Sequence, residues 1–158
     1  MISVTKLLGG ASYFGDKLRY DSQSAAQKTE GPAWKNDISI PVARIAEFVD
    51  EAEAALQRFS PGVRLCPFGH AGDGNLHFDI LASAGASVEA HLAKREASHV
   101  IVNDLVAKYE GSISAEHGLG VMKTEEAEHY KQPVQVAAMR AVRAALDPLR
   151  IMNPRVLF

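Results

Sequence analysis

Polar and apolar residues alternate, or recur at helical spacing, along most of the chain. Asp37 to Val42 alternates in the way typical of a half-buried strand. Ala43 to Phe59 repeats apolar residues at helical spacing, which predicts an amphipathic helix. Val63 to Gly69 and Asn75 to Leu81 predict two more strands, joined by a turn rich in Gly and Asp. The first half of this pattern is therefore strand, helix, strand, strand.

The pattern continues with a helix and a further strand. Ser87 to Glu110 predicts one long helix that Gly111 ends, and Ser112 to Glu116 predicts a short strand. The order of these six elements is that of the split βαβ unit. We therefore predict an α+β, ferredoxin-like fold, with an antiparallel sheet and both helices on one face. Beyond this unit, Val134 to Leu146 predicts the main helix of a C-terminal helical segment.

These elements divide the 158-residue chain into three parts. Residues 1–34 form an N-terminal segment whose structure the pattern does not define, apart from a loose helix over Tyr20 to Glu30. Residues 35–120 form the ferredoxin-like domain, and residues 121–158 form the C-terminal helical segment. The total length fits a single domain.

Side chains alternate across a sheet, so the apolar positions that face the helices also fix the opposite face. The predicted helix-facing residues are Ile38, Ile40, Leu76, Phe78, Ile80, Ile113 and Ala115. The opposite face receives Asp37, Ser39, Asn75, His77, Asp79, Ser112, Ser114 and Glu116. A solvated sheet face explains this pattern as well as a functional site does, but histidine and carboxylates among hydroxyls favour a site.

Composition excludes several classes of protein. The formal net charge is −2 and 23% of residues are charged, so nothing indicates the basic face of a nucleic-acid-binding protein. Cys66 is the one cysteine; it excludes an intrachain disulfide, fits a reducing compartment and is predicted to be a small buried hydrophobe. No stretch approaches the roughly 20 apolar residues of a membrane span. We expect a cytoplasmic protein, or one held at a membrane surface by partners.

The sequence from Gly69 to His77 carries the first candidate site, because two histidines flank a glycine-rich turn. A hairpin at this turn would bring His70 and His77 close enough to share a metal ion through neutral imidazoles. Glu116 shares the predicted face with His77 and could add a carboxylate oxygen, which leaves coordination positions open for a reacting ligand. Hydrogen-bonded histidines and a helix-terminal Glu116–His117 pair are the simpler explanations. Lys35 could pair with an anionic substrate or be a solvated lysine.

The order of these motifs resembles the C-terminal domain of FAD-linked oxidases, which include D-lactate dehydrogenase, D-2-hydroxyglutarate dehydrogenase and the glycolate oxidase D subunit. The resemblance runs from about Lys28 to the end of the chain. The matching stretches are Lys35 to Val42, Gly69 to His77, Glu116 to Gly120 with Lys123, Asp147-Pro148 and Ile151 to Pro154.

The resemblance implies the oxidation of a small D-2-hydroxyacid, with FAD and a divalent metal, usually zinc, as cofactors. The implied metal ligands are His70, His77 and Glu116. His117 is the implied catalytic base, Lys35 and Asn75 the implied substrate contacts, and Asn153 the implied cofactor contact. The metal would lower the pKa of the substrate hydroxyl, the base would take its proton, and hydride would pass to the flavin.

Three departures from the family pattern qualify these implications. A flavin domain of the PCMH type precedes this segment in the family, and no counterpart is recognisable before Lys35, so we expect this chain alone to be inactive. Tyr20 stands where relatives often carry an arginine, and Arg19 is one position away. The usual Asn-Pro-Gly near the end is here Asn153-Pro154-Arg155.

Three functions are compatible with the sequence. The first is part of a flavin-dependent D-2-hydroxyacid dehydrogenase, either as a piece of a longer enzyme or as a subunit. The second is a truncated, non-catalytic metal-binding domain or a subunit that needs a separate FAD-binding chain. The third is a metal hydrolase, which the order of the motifs argues against. The apolar stripe of the C-terminal segment, residues 124–158, predicts self-association or binding to an FAD-binding partner.

Overall fold

The computed structural model describes residues 31–70 and 72–156, so the helix expected over Tyr20 to Glu30 lies outside it. The strands are β1 (Ala33–Trp34), β2 (Asp37–Ser39), β3 (Arg64–His70) and β4 (Asn75–Leu81). The helices are α1 (Ile45–Phe59), α2 (Val88–Leu92), α3 (Arg95–Lys108), α4 (Thr124–Tyr130) and α5 (Pro133–Leu146), and a 3₁₀ turn (Val42–Arg44) precedes α1.

The sheet is antiparallel and β4 lies at its centre. β3 pairs with one edge of β4 along its whole length, while β1 and β2 pair in turn with the other edge. A single bridge between Ser39 and Ser112 continues the sheet beyond β2. This sheet, combined with the helices, confirms the predicted α+β fold class.

One face of the sheet and two long helices form the core. Leu76, Phe78 and Ile80 alternate along β4 and are fully buried, as the sequence pattern predicts. The ring of Phe48 on α1 lies edge-on to Phe78 and to Tyr109, with centroids 5.4 Å and 5.6 Å away. The α1 and α3 helices also pack against each other. This packing covers the apolar face and leaves the other face of β4 for different chemistry.

Two glycines allow the neighbouring loops to approach β2 closely. Gly74 has a φ of +82°, and a Cβ there would collide with the carbonyl oxygen of Ile40, which lies just after β2. A Cβ on Gly111 would collide with the carbonyl oxygen of Ser39. Ile40 N donates to Gly74 O at 2.9 Å, so the turn before β4 is fastened to the end of β2. Larger residues at either position would push these segments apart.

The predicted single helix over residues 87–110 is wrong, because the chain forms α2 and α3 with a break at Ala93 and Lys94. The imidazole of His91 on α2 stacks on Trp34 with centroids 4.0 Å apart, and Trp34 Nε1 donates to the His91 carbonyl at 2.8 Å. This contact turns α2 toward β1. His91 is only 5% exposed. Cys66 is half-buried rather than buried.

The predicted strand over residues 112–116 is also wrong, since only Ser112 pairs with the sheet. Ser112 Oγ donates to the carbonyl oxygen of Ser114 at 2.9 Å, which bends the backbone. The amides of Ala115 and Glu116 then donate to a carboxylate instead of to strand carbonyls. Ile113 is buried as predicted, but Ala115 is exposed and does not face the helices.

The described residues divide into two compact units, with the boundary between Glu116 and His117. In the second unit, the Arg140 guanidinium pairs with Glu128 and so joins α5 to α4. Arg143 donates to the carbonyl oxygens of Met152, Asn153 and Val156, which holds the last described residues against α5. Among the helices of residues 31–70 and 72–156, none is long and apolar enough to cross a bilayer.

Candidate metal and substrate site

The sheet face that lies opposite the helices is polar, and its carboxylate, amide and imidazole side chains on β2 and β4 are buried. In the register of β2 and β4, Asp37 lies opposite His77 and Ser39 lies opposite Asn75. Asp37 and His77 are 6% exposed and Asn75 is 5% exposed. A solvated face would leave these side chains in water, so that explanation of the sequence pattern is wrong. Buried polar groups require partners, and their partners define the site.

The β3–β4 hairpin places the two motif histidines on this face. His70 lies opposite Asn75, and Phe68 lies opposite His77. The turn is held by Asp73, whose amide donates to His70 O at 3.2 Å and whose carboxylate accepts from Asn75 N at 3.0 Å. The Phe68 ring stacks on the His77 imidazole with centroids 5.1 Å apart. The hairpin proposed from the Gly69 to His77 motif is therefore present and fixes the His77 ring.

Glu116 meets both histidines. Its Oε1 lies 3.7 Å from His70 Nε2, and its Oε2 lies 3.8 Å from His77 Nε2. Asn75 Nδ2 donates a hydrogen bond to the same Oε1. The side chains of His70 and Glu116 are 55% and 43% exposed, whereas that of His77 is buried. The arrangement is open to solvent on the side of His70 and Glu116 and closed behind His77.

His70, His77 and Glu116 are residue types that bind divalent metals. Two imidazole nitrogens and a carboxylate oxygen are a donor set that zinc accepts. Tetrahedral zinc with ligand distances of about 2.0–2.2 Å separates its donor atoms by about 3.4 Å. Glu116 lies 3.7 Å and 3.8 Å from the two histidines, through different carboxylate oxygens. Among the described residues, the group whose donor atoms all lie within 4.8 Å of one another is Asp37, His77 and His117. A three-residue set also leaves a coordination position for a water or a substrate.

Asp37 is a functional candidate that the sequence analysis missed. One of its carboxylate oxygens and a ring nitrogen each of His77 and His117 lie within 4.8 Å of one another, which is close enough for the three to bind one metal ion. The same carboxylate accepts hydrogen bonds from the Ala115 and Glu116 amides, each at 3.1 Å. The signal in the sequence was its position on the polar face opposite His77.

Asn75 carries an unsatisfied buried oxygen. Its Nδ2 is bonded to Glu116, but among the residues that the structure describes its Oδ1 has no hydrogen-bond partner. An unpaired buried carbonyl oxygen costs about 1–3 kcal/mol, so it is expected to bind a donor in the working state. A substrate hydroxyl or a water next to Glu116 would supply one.

Of the remaining candidates, His117 offers a ring nitrogen within 4.8 Å of donor atoms of Asp37 and His77, whereas Lys35 and Asn153 have other partners. The Lys35 ammonium is 3.7 Å from Asp79 Oδ2, and its side chain is 71% exposed. His117 is exposed and directly follows Glu116, as the first residue of the second unit. Asn153 has a φ of +45° and is exposed beside the Arg143 guanidinium. The geometry brings His70, Asn75, His77 and Glu116 together.

Comparison with known proteins finds relatives that are named D-2-hydroxyglutarate dehydrogenase. The chain is 39% identical over 143 residues to a D-2-hydroxyglutarate dehydrogenase of Stutzerimonas stutzeri (strain A1501), covering 90% of the chain and 30% of that protein. It is 38% identical over 138 residues to the mitochondrial D-2-hydroxyglutarate dehydrogenase of Arabidopsis thaliana, covering 87% of the chain and 23% of the relative. The mitochondrial enzyme of Rattus norvegicus is 35% identical over 130 residues, with 82% and 23% covered.

The chain therefore spans less than a third of the length of these relatives. Residues 14–157 match the family described as FAD linked oxidases, C-terminal domain, which is nearly the whole chain. This match includes the histidine hairpin, Glu116 and Asn153, and it confirms the resemblance that the motifs indicate. The chain belongs to the C-terminal domain family of the FAD-linked oxidases.

Proposed function

We propose that this chain supplies the metal and substrate site of an FAD-dependent D-2-hydroxyacid dehydrogenase. Within that class, D-2-hydroxyglutarate is our first candidate substrate, because the relatives that we compared carry that name. D-lactate and glycolate are the other candidates. The observation that carries the proposal is the meeting of His70 and His77 with Glu116 at 3.7 Å and 3.8 Å.

We assign metal binding to His70, His77 and Glu116, with zinc as the expected ion. A bound divalent metal lowers the pKa of a coordinated hydroxyl, and FAD is the acceptor of the hydride. Phe68 holds the buried His77 ring, and Glu116 spans the two imidazoles. Two of the three donors would thus stand on the paired strands β3 and β4, and Glu116 would reach them from the segment after Ser112.

The neighbouring side chains have complementary roles in this proposal. The Asn75 Oδ1, buried and unpaired among the described residues, would accept a hydrogen bond from the substrate hydroxyl or from a bound water. The exposed Lys35 ammonium would pair with a substrate carboxylate, in competition with Asp79. His117 would take the proton from the substrate hydroxyl, while the hydride leaves the carbon that bears this hydroxyl. Asn153 would contact the cofactor.

Calorimetry on the 158-residue chain tests the proposal directly. We expect one zinc per chain, and binding of D-2-hydroxyglutarate only after zinc has been loaded. Asn75→Ala should retain zinc and weaken binding of the hydroxyacid. The matched control is His129→Ala, which removes an exposed histidine of α4 and should change neither titration. A chain that binds no zinc, or that binds the hydroxyacid equally well without zinc, would refute the assignment.

We also propose that the second unit docks on an FAD-binding polypeptide. Six large apolar side chains of this unit are 59–78% exposed, and we call them the C-terminal apolar surface: Val134, Val142, Leu146, Leu149, Ile151 and Met152. The relatives are more than three times as long as the region that they share with this chain. A surface of this kind usually marks an interface, and an FAD-binding region is what the family chemistry requires.

A further inference from the structure

The Asp37 carboxylate is buried and is directed at one short stretch of backbone. It accepts hydrogen bonds from three consecutive residues, Ser114 Oγ at 3.3 Å, Ala115 N at 3.1 Å and Glu116 N at 3.1 Å. These three bonds go to Asp37 Oδ2, and Asp37 Oδ1 also accepts from Glu116 N at 3.3 Å. Asp37 itself is fixed by the β2–β4 pairing, directly opposite His77.

The segment that carries Glu116 depends on this carboxylate. Its backbone is paired with the sheet only at Ser112, four residues earlier. At Ala115 and Glu116, the Asp37 oxygens take the place that strand carbonyls would have in a regular ladder. A charge-assisted hydrogen bond from a backbone amide to a carboxylate is stronger than one to a neutral acceptor. The position of Glu116 relative to His77 is thus set by Asp37.

We propose that Asp37 is a positioning residue for Glu116, which holds the Glu116 carboxylate within reach of both histidines and is not itself a metal ligand. The metal part of this inference rests on the proposed function, whereas the positioning does not. Asp37, His77 and His117 offer donor atoms within 4.8 Å of one another, which makes direct ligation the competing role of Asp37. Both Asp37 oxygens, however, are already engaged by backbone amides.

A double-mutant cycle separates the two roles. Zinc affinity is measured by competition with a chromophoric chelator for the wild-type chain, Asp37→Ala, Asp37→Asn, Glu116→Ala and the Asp37→Ala/Glu116→Ala double variant. We expect Asp37→Ala to weaken zinc binding by about 10- to 100-fold, as for other residues that orient ligands. Asp37→Asn should lose less, because its amide oxygen still accepts from the backbone. Asp50→Ala, which removes an exposed carboxylate of α1, should lose nothing.

The decisive comparison is the Glu116→Ala background. If Asp37 acts through Glu116, then Asp37→Ala should have little further effect once Glu116 is gone. An equal fold-loss in both backgrounds would show independent ligation and overturn the proposal. Unchanged zinc affinity in Asp37→Ala would overturn it as well. Should Asp37→Ala fail to fold by circular dichroism, the same cycle is carried out with Asp37→Asn.

Hydrogen exchange gives a readout without metal. In the metal-free chain, the Ala115 and Glu116 amides should exchange faster in Asp37→Ala and recover much of their protection in Asp37→Asn. Unchanged exchange in Asp37→Ala would overturn the positioning role. If the amides become labile but the wild-type chain binds no zinc, the metal assignment fails and the positioning role stands. The two proposals can therefore fail separately.

Discussion

The strand β4 and the helix α5 differ in how far their side chains are buried. All seven residues of β4 are buried, including the polar Asn75, His77 and Asp79. Of the fourteen residues of α5, only Val136 is buried, although the helix is rich in apolar residues. Burial of a polar group requires a partner inside the protein, whereas exposure of an apolar group is tolerated until it becomes an extended patch. The polar side chains of β4 are thus positioned by partners within the same unit, whereas the role of the exposed apolar side chains of α5 depends on what binds to them.

The partners of the buried polar groups make this difference concrete. Asn36 Nδ2 donates to the carbonyl oxygen of Phe78 at 3.0 Å, and Lys35 lies 3.7 Å from the buried Asp79 carboxylate. Within β4, the side-chain atom without a hydrogen-bond partner among residues 31–70 and 72–156 is Asn75 Oδ1. Because most of its neighbours are satisfied, this oxygen stands out as a place for a ligand. The exposed apolar side chains of α5 do not indicate a ligand position in this way.

Removal of a core ring should produce the largest effect. Phe78→Ala empties a fully buried position between β4 and α1, and should cost about 3–5 kcal/mol of unfolding free energy. The same truncation at the exposed Val142 of α5 should cost less than about 0.5 kcal/mol. Urea unfolding followed by circular dichroism measures both. Similar losses at the two positions would remove the contrast between β4 and α5.

Loss of a proposed ligand should be the next largest effect. His77→Ala takes away the buried imidazole that lies 3.8 Å from Glu116 Oε2, and should weaken zinc binding by more than about 100-fold, beyond the loss typical of residues around the ligands. Elemental analysis after dialysis should show metal in the wild-type chain and none in the variant. His129→Ala controls for histidine content. Full retention of metal by His77→Ala would eliminate this residue as a ligand.

The spacing of apolar residues predicted the strands and helices that bury one regular face. β4 was predicted over its whole length, and β3, α1 and α5 to within two residues at each end, because their apolar faces recur at the period of the element. The break between α2 and α3 was missed, since its cause is the stacking of His91 on Trp34, 57 residues earlier in the chain. A contact between distant residues leaves no trace in local spacing.

The sequence could predict those parts of the site that depend on side-chain type and spacing. Motif and strand alternation grouped His70, His77 and Glu116, and the hairpin holds the two histidines. Glu116 lies near both of them, but on a segment that does not form the predicted strand. Asp37 was assigned to the correct face but given no role, because its partners include the backbone amides of Ala115 and Glu116. Every residue but proline has such an amide, so these bonds have no signature in a sequence.

The pH dependence of stability should show that the buried imidazole of His91 resists protonation. Burial lowers the pKa of His91 below its ordinary value of 6.5, against the opposing effect of its contact with the Ile80 carbonyl, and the Lys94 ammonium lowers it further. Below pH 6.5 the unfolded chain therefore binds a proton that the folded chain resists. This contribution to stability is intact above pH 6.5 and is lost as the pH falls toward the folded pKa of His91.

Urea unfolding at a series of pH values measures this effect. His91→Phe keeps an aromatic ring against Trp34 and removes the titrating group, so its stability should fall less steeply below pH 6.5 than that of the wild-type chain. His129→Phe, at an exposed position of α4, should leave the slope unchanged. Identical slopes in His91→Phe and the wild-type chain would show that the buried imidazole does not contribute to acid sensitivity.

The smallest change in stability should accompany a clear change in association. Leu146 on the C-terminal apolar surface is 77% exposed, so Leu146→Ser should alter the unfolding free energy by less than about 0.5 kcal/mol. Without an FAD-binding polypeptide, the surface is free to meet other copies of the chain. Sedimentation should then show concentration-dependent association of the wild-type chain, reduced in Leu146→Ser and unchanged in Val100→Ser, a control on α3 that is 54% exposed. A monomeric wild-type chain whose α5 resists proteolysis would mean that this surface is covered internally, and the docking proposal would fall.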